Sequence, residues 1–127
     1  MLRNGKIRPS NSTAGTLIFL AKQTNGKLRI MVDYCGLNIM PIKDKYPLPL
    51  MTSRMEQVGT SQVFAKLDLK LGFNLLRIAT VDEWKTAFDT RYELCEYMVM
   101  PFGLTNGQSV FQRDLNNILN ENLIEDS

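Results

Sequence analysis

At 127 residues, 44% hydrophobic and 22% charged, the chain has the composition of one globular domain or a piece of one, which argues against disorder and against several domains. No apolar run approaches the ~20 residues of a membrane span, and the opening "MLRNGKIRPS" lacks the apolar core of a signal peptide. An intracellular protein with no membrane partner and no targeting signal is therefore expected. There is no histidine, and Cys35 and Cys95 lie far apart, which argues against zinc sites and Cys/His catalysis and leaves two idle thiols in a reducing compartment.

The net charge of +2 is unevenly spread. The first 50 residues hold eight basic side chains against Asp33 and Asp44, and the remainder holds seven against eleven acidic ones. A basic front half suits a polyanionic partner such as nucleic acid, and equally suits a generic basic surface.

In chain order, "TLIFLAK" and "KLRIMVD" read as two strands joined at Asn25-Gly26, a strong hairpin signal. The prolines at 41, 47 and 49 in "NIMPIKDKYPLPL" predict an extended crossing segment. Leu50, Met51, Met55 and Val58 fall at helical spacing, with Gly59 as the stop. "FAKLDLKLGF" alternates Ala65, Leu67 and Leu69 with Lys66, Asp68 and Lys70, the period of a half-buried strand, broken at Gly72. "LLRIAT" and "KTAFDT" read as a strand pair around "VDEW", and "LCEYMVM" as a further strand ended by Pro101. In the last element Phe111, Leu115, Ile118, Leu119 and Asn122 share a helical face, with Arg113, Asp114 and Asn117 outside and Asn106 as N-cap.

Asp68 admits two readings. It is a carboxylate between two lysines on a solvated face, where ion pairs contribute on the order of 0–1 kcal/mol, or a metal ligand presented by a strand.

The phrases "GKIRPSNS", "GKLRIMVDYCGLN", "YPLPL", "FAKLDLKLGF", "DEWKTAFDTRY" and "EYMVMPFGLTN" followed by "FQ" stand in the order of a retrotransposon reverse transcriptase. The chain resembles the Ty3/gypsy class over nearly its whole length. That resemblance implies an α+β fold: the fingers and partial palm of a reverse-transcriptase-like polymerase, a mixed, mainly antiparallel sheet with helices packed on one side. Residues of about 1–62 would be fingers and those of about 63–127 a partial palm with fingers elements. It implies RNA-directed DNA polymerisation with Mg²⁺, a dNTP and an RNA or DNA template-primer as partners. Asp68 would be the first catalytic carboxylate and metal ligand, with the Leu69 carbonyl on the second metal. Leu71 and Gly72 would offer backbone N–H groups to the triphosphate, and Phe73 would lie beneath the sugar, where it excludes a 2′-hydroxyl. Arg29 would stack on the base and reach the phosphates, Lys22 would contact the γ-phosphate, and Phe102 would face the nucleotide. Gln112 is a polar helix residue whose role the resemblance leaves open.

The family's tyrosine, variable residue and two aspartates, which complete the metal site, have no counterpart here, since the chain contains no Asp-Asp pair. By family spacing the sequence stops shortly before that motif, and Glu125-Asp126 is no substitute at a polar terminus. Cys35 stands where the family has arginine, Gly107-Gln108 where it has Ala-Pro, "KLGFNLL" where it has "RSGYHQI", and Thr13 and Leu17 where it has prolines. The expectation is a fragment inactive on its own, with the palm strand left as an open edge for pairing. The alternative is a non-catalytic nucleic-acid-binding module that keeps the basic fingers.

Overall fold

The computed structural model describes residues 4–47 and 50–125, the last five by backbone alone. The elements are β1 (Ile7–Pro9), β2 (Ile18–Lys22), β3 (Leu28–Val32), α1 (Cys35–Ile39), α2 (Met51–Thr60), β4 (Phe88–Asp89), β5 (Leu94–Tyr97) and α3 (Gly107–Glu125), with single 3₁₀ turns at Gly72–Leu75 and Glu83–Thr86. Two antiparallel sheets result: β1-β5-β4, and the β2-β3 hairpin.

The hairpin forms where Asn25-Gly26 predicts it, but its turn is centred one residue earlier. The Gly26 amide donates to the Gln23 carbonyl at 2.9 Å, the Gln23 amide donates to the Lys27 carbonyl at 2.8 Å, and Gly26 takes the left-handed φ of +81°. Asn25 Oδ1 accepts from the Lys27 amide, so both residues serve the turn, glycine by its φ and asparagine by its side chain. The foot of the hairpin is tied to the larger sheet. Thr16 donates its amide to Ala87 and accepts from the Asp89 amide, at 3.0 and 2.8 Å.

The core lies at that junction. Ile7, Val32, Tyr34, Phe88 and Cys95 are buried together, with Leu37, Tyr97 and Leu104 packed against them. The Tyr34 hydroxyl donates to the Thr86 carbonyl at 3.0 Å, so the buried polar tip is satisfied. Beneath the sheet Arg8 meets two buried carboxylates. Its guanidinium lies 2.7 Å from Glu96 and 2.6 Å from Glu83, and the Ser10 hydroxyl donates to Glu96 at 2.5 Å. Burial disfavours the charged Glu96, yet the Ser10 and Arg8 hydrogen bonds outweigh it and hold the carboxyl below its ordinary value.

Three expectations change. Residues 63–69 form no strand: they pair with no other strand among the described residues and are exposed on both alternating faces. An apolar-polar alternation specifies a strand only when a neighbour takes its backbone hydrogen bonds, and here none does. "LLRIAT" does not pair with "KTAFDT". Instead Leu76 and Ile78 bond to Met100 and Met98, Glu83–Thr86 coils into a 3₁₀ turn, and Phe88–Asp89 pairs with Leu94–Cys95. The Thr90 hydroxyl, accepting from the Glu93 amide at 3.0 Å, closes that tighter turn and selects the local partner. Arg113 is not an outer residue of α3. It pairs with Asp44 at 2.6 Å and lies 5.0 Å from the centroid of the Tyr46 ring.

The proline-rich segment crosses without regular structure only from residue 40 through residue 47, because Asn38 and Ile39 at its start belong to α1; Leu48 and Pro49 lie outside the described residues, as do Asp126 and the chain's first three residues. The segment is stapled to α3 by the Arg113 pair and by Asn116, whose amide donates to the Tyr46 hydroxyl at 2.8 Å. Asn106 stands where α3 begins, and its carbonyl accepts from Val110, but its side chain holds the Asp44 amide and the Ile42 carbonyl rather than capping the helix. Helix α2 forms as predicted, one residue beyond Gly59, and is exposed along its whole length. On α3, Ile118 and Leu119 are exposed as well, and the side chain of Asn122 lies outside the described residues.

Candidate functional site

One open hollow of about 440 Å³ is lined by Leu67, Asp68, Leu69, Leu71, Gly72, Phe73, Phe102, Phe111 and Leu115. The turn after Asp68 shapes its floor. Leu71 adopts a left-handed conformation (φ 54°, ψ 43°), which swings the chain into the 3₁₀ turn Gly72–Leu75. Gly72 lets that turn press on α3, because a Cβ there would lie 2.9 Å from the Phe111 ring. Phe73 then meets Phe111 and Phe102 edge-to-face, with ring centroids 5.1 and 5.0 Å away.

The Arg29 guanidinium caps this row at 4.1 Å from the Phe102 centroid, within cation–π range. Phe102 is held there by its own loop. The Asn38 side chain donates to the Gly103 carbonyl at 2.7 Å and accepts from the Thr105 amide at 2.8 Å, while Gly103 takes a φ of +99° that suits glycine. Thus the "GLN" and "PFGLTN" phrases, distant in sequence, are one structural unit.

Of the residues singled out in the sequence, Asp68, Leu69, Leu71, Gly72, Phe73 and Phe102 line the hollow, and Arg29 joins it through Phe102. Lys22 stands apart. It pairs with Leu28 across the hairpin, whereas Arg29 pairs with Ala21, so the strand pleat sends the two basic side chains to opposite faces. Asp68 is exposed and forms no ion pair with Lys66 or Lys70 among the described residues. Gln112 donates to Asn116 at 2.9 Å, which places it among the side chains that staple α3. Among the described residues no three His, Cys, Asp or Glu side chains gather to hold a metal ion. Asp68 by itself does not make the clustered carboxylates that two Mg²⁺ ions require.

Sequence reasoning missed the structural parts of Phe111 and Asn38. Phe111 was legible as an apolar helix position, but its ring contact with Gly72 was not. Cys35, exposed at the start of α1, shares hydrogen bonds with Asp33 that lower the Asp33 carboxyl and raise the Cys35 thiol, and it puts no cation where arginine was expected.

The reverse transcriptase (RNA-dependent DNA polymerase) family matches residues 20–124. The chain belongs to the reverse transcriptase family. It is 36% identical to the retrovirus-related Pol polyprotein of transposon opus and 38% to that of transposon 297, both of Drosophila melanogaster, over 97% and 94% of this chain. It is 37% identical over 94% of its length to the Schizosaccharomyces pombe transposon Tf2-3 polyprotein. The chain spans 13%, 12% and 9% of these relatives, so it corresponds to part of a Ty3/gypsy-like retrotransposon polyprotein, within the reverse transcriptase domain.

The fold agrees. The foamy viral protease-reverse transcriptase in complex with an RNA/DNA hybrid superposes at a TM-score of 0.79 with 22% identity, over 94% of this chain and 16% of that one. The native prototype foamy virus enzyme gives a TM-score of 0.73 with 26% identity, over 94% and 16%. The α+β architecture of antiparallel sheets and helices is shared with these enzymes.

Proposed function

We propose that this chain carries the nucleotide-facing part of a retrotransposon reverse transcriptase, with residues of about 1–62 as fingers and about 63–127 as partial palm. One observation carries the reading: Arg29 of the hairpin, Phe102 of its loop, and the turn after Asp68 that carries Phe73 come from three separate segments, and they meet at one hollow, Arg29 through the Phe102 ring. A planar cation at the rim suits a base and its phosphates. The Phe73 ring suits the face of a deoxyribose and leaves no room for a 2′-hydroxyl. The left-handed Leu71 followed by the 3₁₀ turn is the kind of backbone that turns successive N–H groups toward an anion, which fits a triphosphate. Lys22, on the other hairpin face, serves the γ-phosphate or template backbone only if the tip twists.

Asp68 would be one ligand of the Mg²⁺ site that the family uses, and Leu69 would contribute its carbonyl. These residues support no metal-dependent step, because the second carboxylate group is not among them. The chain by itself is therefore a nucleotide- and nucleic-acid-binding body without polymerase activity. Exposed Lys22 and Lys27 at the hairpin tip support a second role, holding a template-primer by its phosphates.

The test pairs two assays on residues 1–127. Primer extension with Mg²⁺ or Mn²⁺ is expected to give no product, and any dNTP-dependent product would overturn the claim of inactivity. Template-primer binding is expected to weaken steeply with salt as counterions are released. A flat salt dependence would overturn the nucleic-acid role.

A further inference from the structure

We propose that Phe102 is a positioning residue: it latches the β2-β3 hairpin to the body of the domain through Arg29, and α3 braces that latch through Phe111 and Phe73. The hairpin is a two-stranded lever. Its foot is fixed by Thr16 against Ala87 and Asp89, but Leu20, Leu28 and Ile30 along its blade are exposed. A lever held at one end swings, and two-stranded ribbons have little stability of their own. The Arg29 guanidinium over Phe102 is a second hold, one residue from the start of β3 and therefore near the tip.

Phe102 does not stand alone. Its loop is pinned by Asn38, its ring abuts Phe73, and Phe73 abuts Phe111 of α3, whose own ring is packed on Gly72. The row runs without a gap from the helix to the hairpin. It fixes the height of Arg29 above the hollow, and so the gap into which a flat group could slide. A guanidinium has two faces. Phe102 lies against the guanidinium at 4.1 Å, and Arg29 keeps part of its surface exposed, which is the surface offered to a nucleobase. That last step rests on the nucleotide reading above, whereas the latch rests on the ring geometry.

The two are separable by NMR on residues 1–127. A stacked ring shields the Arg29 δ-methylene protons, so wild type and Phe102→Tyr are expected to show upfield shifts that Phe102→Leu loses. Absence of shielding in wild type, or its survival in Phe102→Leu, would overturn the latch. Should Phe102→Leu fail to fold, Arg29→Lys keeps charge and ring while removing the planar cation. The amides of Gly26 and Lys27 are then expected to become more mobile, and unchanged order parameters would overturn the proposal. Titration with dGTP adds the dependent claim: Phe102→Tyr binds as wild type does, and Phe102→Leu binds about three- to tenfold more weakly. Intact shielding with no dGTP binding in any variant would refute the nucleotide reading and leave the latch standing.

Discussion

Asn38 and Gly103 lie 65 positions apart in sequence, yet the side-chain amide of the first donates to the carbonyl of the second at 2.7 Å. The same side chain accepts from Thr105, so one asparagine satisfies two backbone groups of the loop that carries Phe102. Because these groups are solvent-accessible, water replaces part of what is lost when the side chain is removed. Asn38→Ala is expected to cost about 0.5–1.5 kcal/mol in urea unfolding. Asn38→Asp, which keeps the acceptor and loses the donor, is expected to fall between the two. An Asn38→Ala chain as stable as wild type would show that the loop is positioned by something else.

Gly72 and Phe111 make a steric pair. A Cβ at residue 72 would lie 2.9 Å from one ring atom and 3.1 Å from another. Gly72→Ala is expected to destabilise by about 1–3 kcal/mol through overpacking. Combining it with Phe111→Leu is expected to cost less than the sum of the single changes, because the clash is gone. Strict additivity in a double-mutant cycle would contradict the packing described here.

Leu71 has the unusual backbone, left-handed with a side chain half in solvent. A non-glycine residue pays roughly 1–2 kcal/mol there, and glycine recovers part of it at the expense of unfolded-state entropy. Leu71→Asn, which tolerates the conformation, is expected to stabilise the chain by about 0.5–1 kcal/mol. Loss of stability in that variant would mean that the leucine side chain contributes more to the hollow than its exposure indicates.

The Arg8 cluster gives a pH dependence whose sign is fixed. The folded state lowers the Glu96 carboxyl relative to its ordinary 4.5 through the Ser10 and Arg8 hydrogen bonds, against the opposing effect of burial. The unfolded chain therefore takes up the proton first as pH falls. The stabilisation is fully present above the ordinary value and is lost as pH drops through the lower folded one. Arg8→Met is expected to be destabilised most at neutral pH, and the gap to wild type is expected to narrow on acidification below about pH 4.5. A gap that widens in acid would contradict the assignment.

How much of this was legible in sequence follows from the range of the interactions. The hairpin, α2 and the crossing segment rest on local signals, Asn25-Gly26, helical spacing and proline, and each formed at those signals to within one or two residues at its boundaries. The alternation at 64–70 was equally clear and still gave no strand, because strand formation needs a partner that local pattern does not supply. The choice of Leu94–Cys95 over "LLRIAT" as partner of Phe88–Asp89 turned on a threonine-closed turn that strand periodicity does not weigh. The Arg8–Glu83–Glu96 cluster joins residues up to 88 positions apart and leaves no periodic trace. At the site, motif order marked Asp68, Phe73, Arg29 and Phe102. The pleat that separates Lys22 from Arg29 came only with the register.

We propose that the hollow lined by Asp68, Phe73, Phe102 and Phe111 takes a deoxynucleotide, with Arg29 on the base and phosphates and Phe73 beneath the sugar. The most direct measurement is a calorimetric titration of residues 1–127 with dGTP and with GTP, repeated for Arg29→Ala and Phe73→Ala. Saturable binding that favours dGTP is expected, with a loss of about tenfold or more in Arg29→Ala and erosion of the dGTP preference in Phe73→Ala. Equal affinity of wild type and Arg29→Ala, or no preference for the deoxy form in wild type, would contradict it.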